Sequence, residues 1–313
     1  MATGQPGIFA QGTRSHYSLE FDLRPDAATS GIAAAVVSLR EPTVTAGGFN
    51  LVIGFGAALW ARLSPPGAGM PGELRAFDAV EGIDGHRAPA TQHDIWIWIH
   101  GTGEDLALDA ARACTAVLAS VADLALEQPC FVYRDSRDLT GFVDGTENPP
   151  VEEAPDVALI ADGDPGEGGA YVITQRWVHD LEQFHAQTVA QQEDTFGRTK
   201  PDSIELDDDV KPPTAHIARV VIEELGEELE IHRRSTPYGT VGEHGLYFLG
   251  FSAELSRFDK MLARMFGVAD GVRDHLTDFS RPVSGSYYFA PSLQALVAID
   301  SALDASNAGD AER

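Results

Sequence analysis

The chain has 313 residues, 43% of them hydrophobic, which is enough for sizeable cores and more than one small domain requires. Asp and Glu number 48 against 22 Lys and Arg, a formal charge of −26. A surface this acidic repels phosphate backbones and anionic lipid headgroups, so neither nucleic acid nor a membrane is expected as a partner.

Cys114 and Cys130 form no Cys-x-x-Cys pair and read as reduced, buried thiols. The opening Met1-Ala2-Thr3-Gly4-Gln5-Pro6 has no basic stretch, no apolar leader and no twin arginine. No apolar run approaches the roughly 18–20 residues that span a bilayer. The expected location is the cytoplasm.

In chain order, Ser15–Leu23 alternates apolar and polar residues, as a half-buried strand does. Asp26–Glu41 suits a helix, with Asp26 or Thr29 as cap. Asn50–Gly56 and Asp94–Gly101 are strands, the second apolar on both faces. An alanine-rich helix follows over Glu104–Leu126, and Cys130–Asp135 is a strand. The order β-α-β-β-α-β is that of a ferredoxin-like domain.

The second half repeats it. Gly168–Val178 is a strand and His179–Gly197 begins as a helix. His216–Glu224 reads as a strand in a hairpin with Glu228–Arg234. Gly245–Ala253 is a strand, Leu255–Gly267 an amphipathic helix and Gly285–Pro291 a last strand. The expected fold is therefore α+β, two ferredoxin-like domains with antiparallel sheets, divided at 1–140 and 141–313. The tail Asp300–Arg313 is small and polar and is expected to end in solvent.

Three stretches could carry chemistry. In Gly141-Phe142-Val143-Asp144-Gly145, Asp144 is a turn former on local grounds, and a calcium loop with Glu147 and Asp156 lacks the required spacing. His216 follows Pro212-Pro213 at the mouth of an apolar segment, where a stiff approach suits either a packed histidine or a single metal ligand. Arg233 and Arg234 end a strand, where one of them could point into a cavity as a permanently charged donor.

Together these stretches resemble the dye-decolourising peroxidases. Gly141–Pro149 is similar to their GxxDG motif, and Gln5–Ala10, Phe196–Leu206, Ala215–Val220, Arg233–Gly239 and Phe279–Ser292 resemble further family segments in the same order. The compact bacterial class, called P or formerly B, is the one resembled most. The resemblance implies two ferredoxin-like domains with haem b in the second. It implies hydrogen peroxide and small organic reductants (dyes, phenolics, porphyrinogens) as substrates, and a homo-oligomer.

Roles then carry over by position. His216 is the expected proximal iron ligand, with Asp278 as its carboxylate partner. Asp144 is the distal acid and base, and Arg233 rather than Arg234 is the distal arginine, with Ser235 on the same side. Arg198 pairs with a haem propionate, and Asn148 and Glu147 line that side. The competing reading is a haem-binding protein that hands on haem or iron. It needs His216 but has no use for a distal acid and arginine.

Overall fold

The computed structural model describes residues 2–39, 48–65, 68–299 and 301. The tail beyond 301, and any helix beyond Leu39, lie outside the described residues.

The first half runs β1 (Ser15–Leu23), α1 (Thr29–Leu39), β2 (Phe49–Phe55) and α2 (Ala57–Leu63). A short ribbon follows, β3 (Val80–Glu81) with β4 (Arg87–Ala88), and then β5 (Ile95–Gly101), α3 (Glu104–Leu118) and β6 (Ala122–Phe131). Its sheet order is β2-β5-β1-β6. Ile95, Ile97 and Ile99 of β5 face the α1 and α3 side, and Trp96 and Trp98 face the other, so both faces of this strand are buried. Helix α3 packs through Ala107, Ala111, Cys114 and Leu118, one stripe at helical spacing. Both cysteines are free and buried.

The second half contains α4 (Ala154–Ala158), β7 (Ala170–His179), α5 (Leu181–His185), α6 (Val189–Phe196) and α7 (His216–Val220). A second ribbon, β8 (Glu223–Glu224) with β9 (Glu227–Glu228), precedes β10 (His232–Arg233), β11 (Thr236–Gly239) and β12 (His244–Ser252). Helix α8 (Ser256–Met265), β13 (Ser280–Pro282) and β14 (Ser286–Ala290) complete it. Here the order is β14-β7-β12, with β10 and β11 both on the far side of β12. Reading β10 and β11 as one interrupted strand, both halves share the order fourth-first-third-second. All pairings are antiparallel, and the halves fuse into one ten-stranded sheet where Phe289 of β14 pairs Phe55 of β2.

Three expectations are corrected. Helix α3 stops at Leu118, and the Ala–Leu stretch after it pairs as β6 along β1, because tertiary pairing outweighs local helix propensity. Pro129 is tolerated in β6 because this is an edge strand. His216 does not enter a strand: it opens the short helix α7, while the hairpin begins only at Glu223. The helix expected to begin at His179 starts at Leu181, because β7 runs through His179, and the stretch to Gly197 holds two helices, α5 and α6, the second opened by a capping box of Thr188 and Gln191.

Candidate functional site

The cavity begins with a loop. Gly141 and Gly145 have φ of 92° and 82°, in the left-handed region where a side chain is strained, so the two glycines of the motif are conformational requirements. The loop is pinned from several sides. The Asp144 amide donates to the Ser136 carbonyl (3.0 Å) and the Asp138 amide to the Phe142 carbonyl (2.9 Å). Phe142 stacks on Phe196 of α6 with centroids 4.0 Å apart.

Asp138, on the cavity wall, is the loop's buried anchor. It accepts from the Thr140 amide (2.9 Å) and hydroxyl (2.5 Å) and pairs with Nε2 of His179 (3.1 Å), whose Nδ1 contacts Ser280 Oγ (2.8 Å). Burial alone would raise its pKa, but His179 and the Thr140 bonds outweigh burial and bring it down to about 2. The stability it contributes is present above the unfolded value of 3.8 and is lost as pH falls from there through about 2. Asp138→Asn is expected to cost about 3 kcal/mol, since removing one partner of a buried pair strands the other. Thermal melts at neutral pH and at pH 3 check this: the gap between wild type and variant should narrow in acid.

The loop, the β7 and β12 face, α7 and α8 enclose about 1430 Å³ of empty space, counting its mouth. The walls are largely apolar, with Ile173 and Trp177 on β7, Leu246 and Phe248 on β12, and Phe258 and Leu262 on α8. Asp144, Arg198, His216, Arg233 and Ser235 all line it.

His216 is held by Asp274. Its Nδ1 lies 2.7 Å from Asp274 Oδ2, and Asp274 is fully buried. The other oxygen of Asp274 accepts the Leu276 amide (2.9 Å), so this carboxylate cannot swing away. No hydrogen bond reaches Nε2 of His216 among the described residues. Asp278, the expected partner, is instead 2.7 Å from Arg273 and close to His275 and His86. The 3₁₀ turn His275–Asp278 carries it away from His216, and Asp274 caps that turn.

Arg233 and Arg234 point to opposite sides, as alternate positions of an extended chain do. The Arg233 guanidinium lines the cavity and has no hydrogen bond or ion pair among the described residues. Arg234 is half-buried on the other side, donating to the carbonyls of Ile8 (2.8 Å) and Ala10 (2.7 Å) over the Trp98 ring, with its pKa lowered by desolvation to about 10. It ties the Gln5–Ala10 segment to the second half. Ser235 lies on the cavity side, its Oγ accepting from the Leu249 amide at 3.4 Å.

Asn148 does not line the cavity. Its amide accepts from the Arg233 N–H (2.8 Å) and donates to the Arg233 carbonyl (2.9 Å), so both ends are taken. Its expected place beside a cofactor is corrected to a clamp that locks the arginine's backbone to the Asp144 loop. Arg198 lines the cavity, bonded to Glu147 and to the Ser203 carbonyl (2.6 Å).

Asp144 is only half-buried, but its open surface faces the cavity rather than bulk water. Desolvation raises its pKa above the ordinary value, Arg233 opposes the rise, and Asp138 adds to it.

The matching family models are the N-terminal domain of the Dyp-type peroxidases over residues 5–131 and the C-terminal domain over 135–295. A dye-decolorizing peroxidase of Rhodococcus erythropolis is 40% identical over 258 residues, covering 81% of this chain and 75% of the relative. Among solved structures, a Dyp-type peroxidase of Shewanella oneidensis superposes with a TM-score of 0.88 at 34% identity, covering 95% of this chain and 98% of that one. A variant of DypB from Rhodococcus jostii RHA1, in complex with haem, gives 0.84 at 34% identity over 90% and 94%. The fold and both matched domains are those of a peroxidase. The chain belongs to the Dyp-type, or dye-decolourising, peroxidase family.

Proposed function

We propose that this peroxidase binds haem b in the cavity through His216 and uses it to reduce hydrogen peroxide while oxidising small organic reductants in one-electron steps. The observation that carries the reading is a donor set in one apolar cavity: an imidazole with one nitrogen fixed by a buried carboxylate and the other free, an acid, and an unpaired guanidinium. Haem fits this set. Its flat apolar body matches the walls, its iron takes a neutral imidazole nitrogen, and its propionates seek guanidinium groups.

Bound haem supplies the metal at which the peroxide O–O bond breaks. The residues supply the rest. Asp274 accepts a hydrogen bond from Nδ1–H of His216, fixing the tautomer and presenting the Nε2 lone pair as ligand, and it makes that ligand more basic. Asp144, when ionised, takes the proton from the inner oxygen of peroxide and returns it to the outer one, directly or through water. Arg233 stabilises the negative charge that develops as the bond lengthens. Ser235 offers a hydroxyl beside it. Arg198 holds a propionate in place of its contact with Glu147.

Arg198→Ala is therefore expected to weaken haem retention more than it slows peroxide reduction. Haem transfer to apomyoglobin, compared with stopped-flow peroxide rates, reads the two separately. Equal haem loss from variant and wild type would leave Arg198 a partner of Glu147 and the Ser203 carbonyl only.

Every cavity-lining residue falls between Asp138 and Ser280, which supports a haem-binding second half joined to the first near residue 140. No helix among the described residues is long and apolar enough to cross a membrane. A cytoplasmic homo-oligomer is the setting we propose, and light scattering of the purified protein checks its assembly. A haem-handling role has no use for an acid and a free guanidinium within the cavity. The direct test is peroxide-dependent oxidation of an organic dye by haem-loaded protein, with Arg233→Leu alongside. Dye oxidation that the variant leaves unchanged would remove the distal assignment.

A further inference from the structure

Behind the cavity's back wall lies a carboxylate with no cation. Glu20 of β1 is fully buried, with 0% exposure. Hydroxyl groups reach both of its oxygens. Tyr247 Oη donates to Oε1 at 2.8 Å and Tyr288 Oη to Oε2 at 2.6 Å. Thr174 Oγ1 adds a bond at 3.3 Å and Ser286 Oγ one at 3.2 Å. No Lys, Arg or His pairs with Glu20 among the described residues.

The position is specific. All four donors belong to the second half (β7, β12 and β14), and the acceptor belongs to the first. Tyr247 stands between Leu246 and Phe248, both of which line the cavity, so its ring projects from the other face of the same strand. Tyr288 stacks on Trp96 with centroids 6.1 Å apart. One sheet thickness separates this cage from the cavity.

Tying the two halves together does not require a charge. A buried carboxylate is costly without a cation, and a neutral amide could accept from hydroxyls as well. What a carboxylate adds is basicity, placed against two phenols. A phenol oxidised by one electron must lose its proton, and here the acceptor is already within hydrogen-bond distance. Burial first, and Glu20 second, raise both phenols well above the ordinary tyrosine value.

We propose that Tyr247 and Tyr288 with Glu20 form a proton-coupled store for one oxidising equivalent. One electron leaves a tyrosine for the peroxide-oxidised cofactor. The phenol O–H bond breaks, a new O–H bond forms on the Glu20 carboxylate, and a neutral phenoxyl radical and a neutral carboxylic acid remain. An organic reductant returns one electron, and the proton moves back to the phenol. The store holds an equivalent in the dry interior until a reductant arrives. This rests on the haem peroxidase reading above.

The test is freeze-quench electron paramagnetic resonance of the haem-loaded protein, mixed with peroxide and no reductant. Wild type is expected to show a tyrosyl signal. The double variant Tyr247→Phe with Tyr288→Phe should lose it, and Glu20→Gln should diminish it, because an amide does not take up the proton. Absorption spectra of the same samples separate the two claims. No haem response to peroxide faults the peroxidase reading itself. A response with no tyrosyl radical in wild type, or with an undiminished radical in the double variant or in Glu20→Gln, overturns the store. Should the variants fail to fold, proton ENDOR on wild type decides. A phenoxyl hydrogen-bonded to a proton that resists brief exposure to D₂O supports the cage, and a radical with a freely exchanging proton overturns it.

Discussion

Asparagine in place of Asp144 is expected to slow the reaction with peroxide by about 10²–10⁴-fold, the range a positioned acid or base supplies. Asparagine keeps a side-chain acceptor for the Gly145 amide and suits turns, so the loop should survive. Stability gives a second readout. A folded-state pKa raised above that of the unfolded chain means that folding disfavours the ionised form. Removing that charge should leave the melting temperature unchanged or slightly higher at neutral pH. The pH profile follows from the same shift. Wild-type rates should rise with pH as Asp144 ionises, with the acid limb above the ordinary aspartate value of 3.8 because desolvation outweighs Arg233. The variant should lack that limb. Superimposable profiles would leave Asp144 a turn residue. Arg233→Leu should cost about 10²–10³-fold, as loss of one preorganised donor does. It should also raise the acid limb further, since the charge that opposes the shift is gone.

Alanine in place of His216 is expected to remove the iron ligand and with it most stable haem binding, while the fold persists, since His216 is partly exposed at the start of a five-residue helix. Asp274→Asn is the subtler change. The Nδ1 contact can persist as a neutral hydrogen bond, but the imidazole loses its charged partner. Metal affinity or activity should fall by about 10–100-fold, the usual consequence of losing such a partner. Asp278→Asn should do neither. Haem titration followed in the Soret region measures all three. Equal affinity in the Asp274 and Asp278 variants would contradict the assignment of the carboxylate.

The doubled topology was legible because period-two alternation and turn residues are local. Ser15–Leu23 is a strand with those same bounds in the structure. The Ala–Leu stretch after Leu118 was not legible, because what makes it a strand is pairing along β1, not propensity. His216–Val220 mixes helix formers with branched residues, and its helical state depends on packing against α6 and α8. Alternation sets Arg233 and Arg234 on opposite sides of the chain, and the family resemblance of Arg233–Gly239 chose Arg233 as the one that enters the cavity.

The residues beyond the family motifs were harder to read. Asp274 and Asp278 sit four positions apart in one stretch, and only the turn between them decides which faces His216. Asn148 was expected beside the cofactor, but its partner lies 85 positions away and is backbone, which leaves no mark in sequence. The Asp138–His179 anchor spans 41 positions, and the Glu20 cage collects donors 154 to 268 positions away. Such clusters come from the sheet order, which emerges only once both halves are assembled.

The account turns on haem that reacts, as opposed to haem that is merely carried. The most direct measurement is the absorption spectrum of the haem-loaded protein before and after one equivalent of hydrogen peroxide. A Soret band that changes within the mixing time and returns on addition of a phenolic reductant is the predicted result. A bound haem whose spectrum ignores peroxide would contradict it.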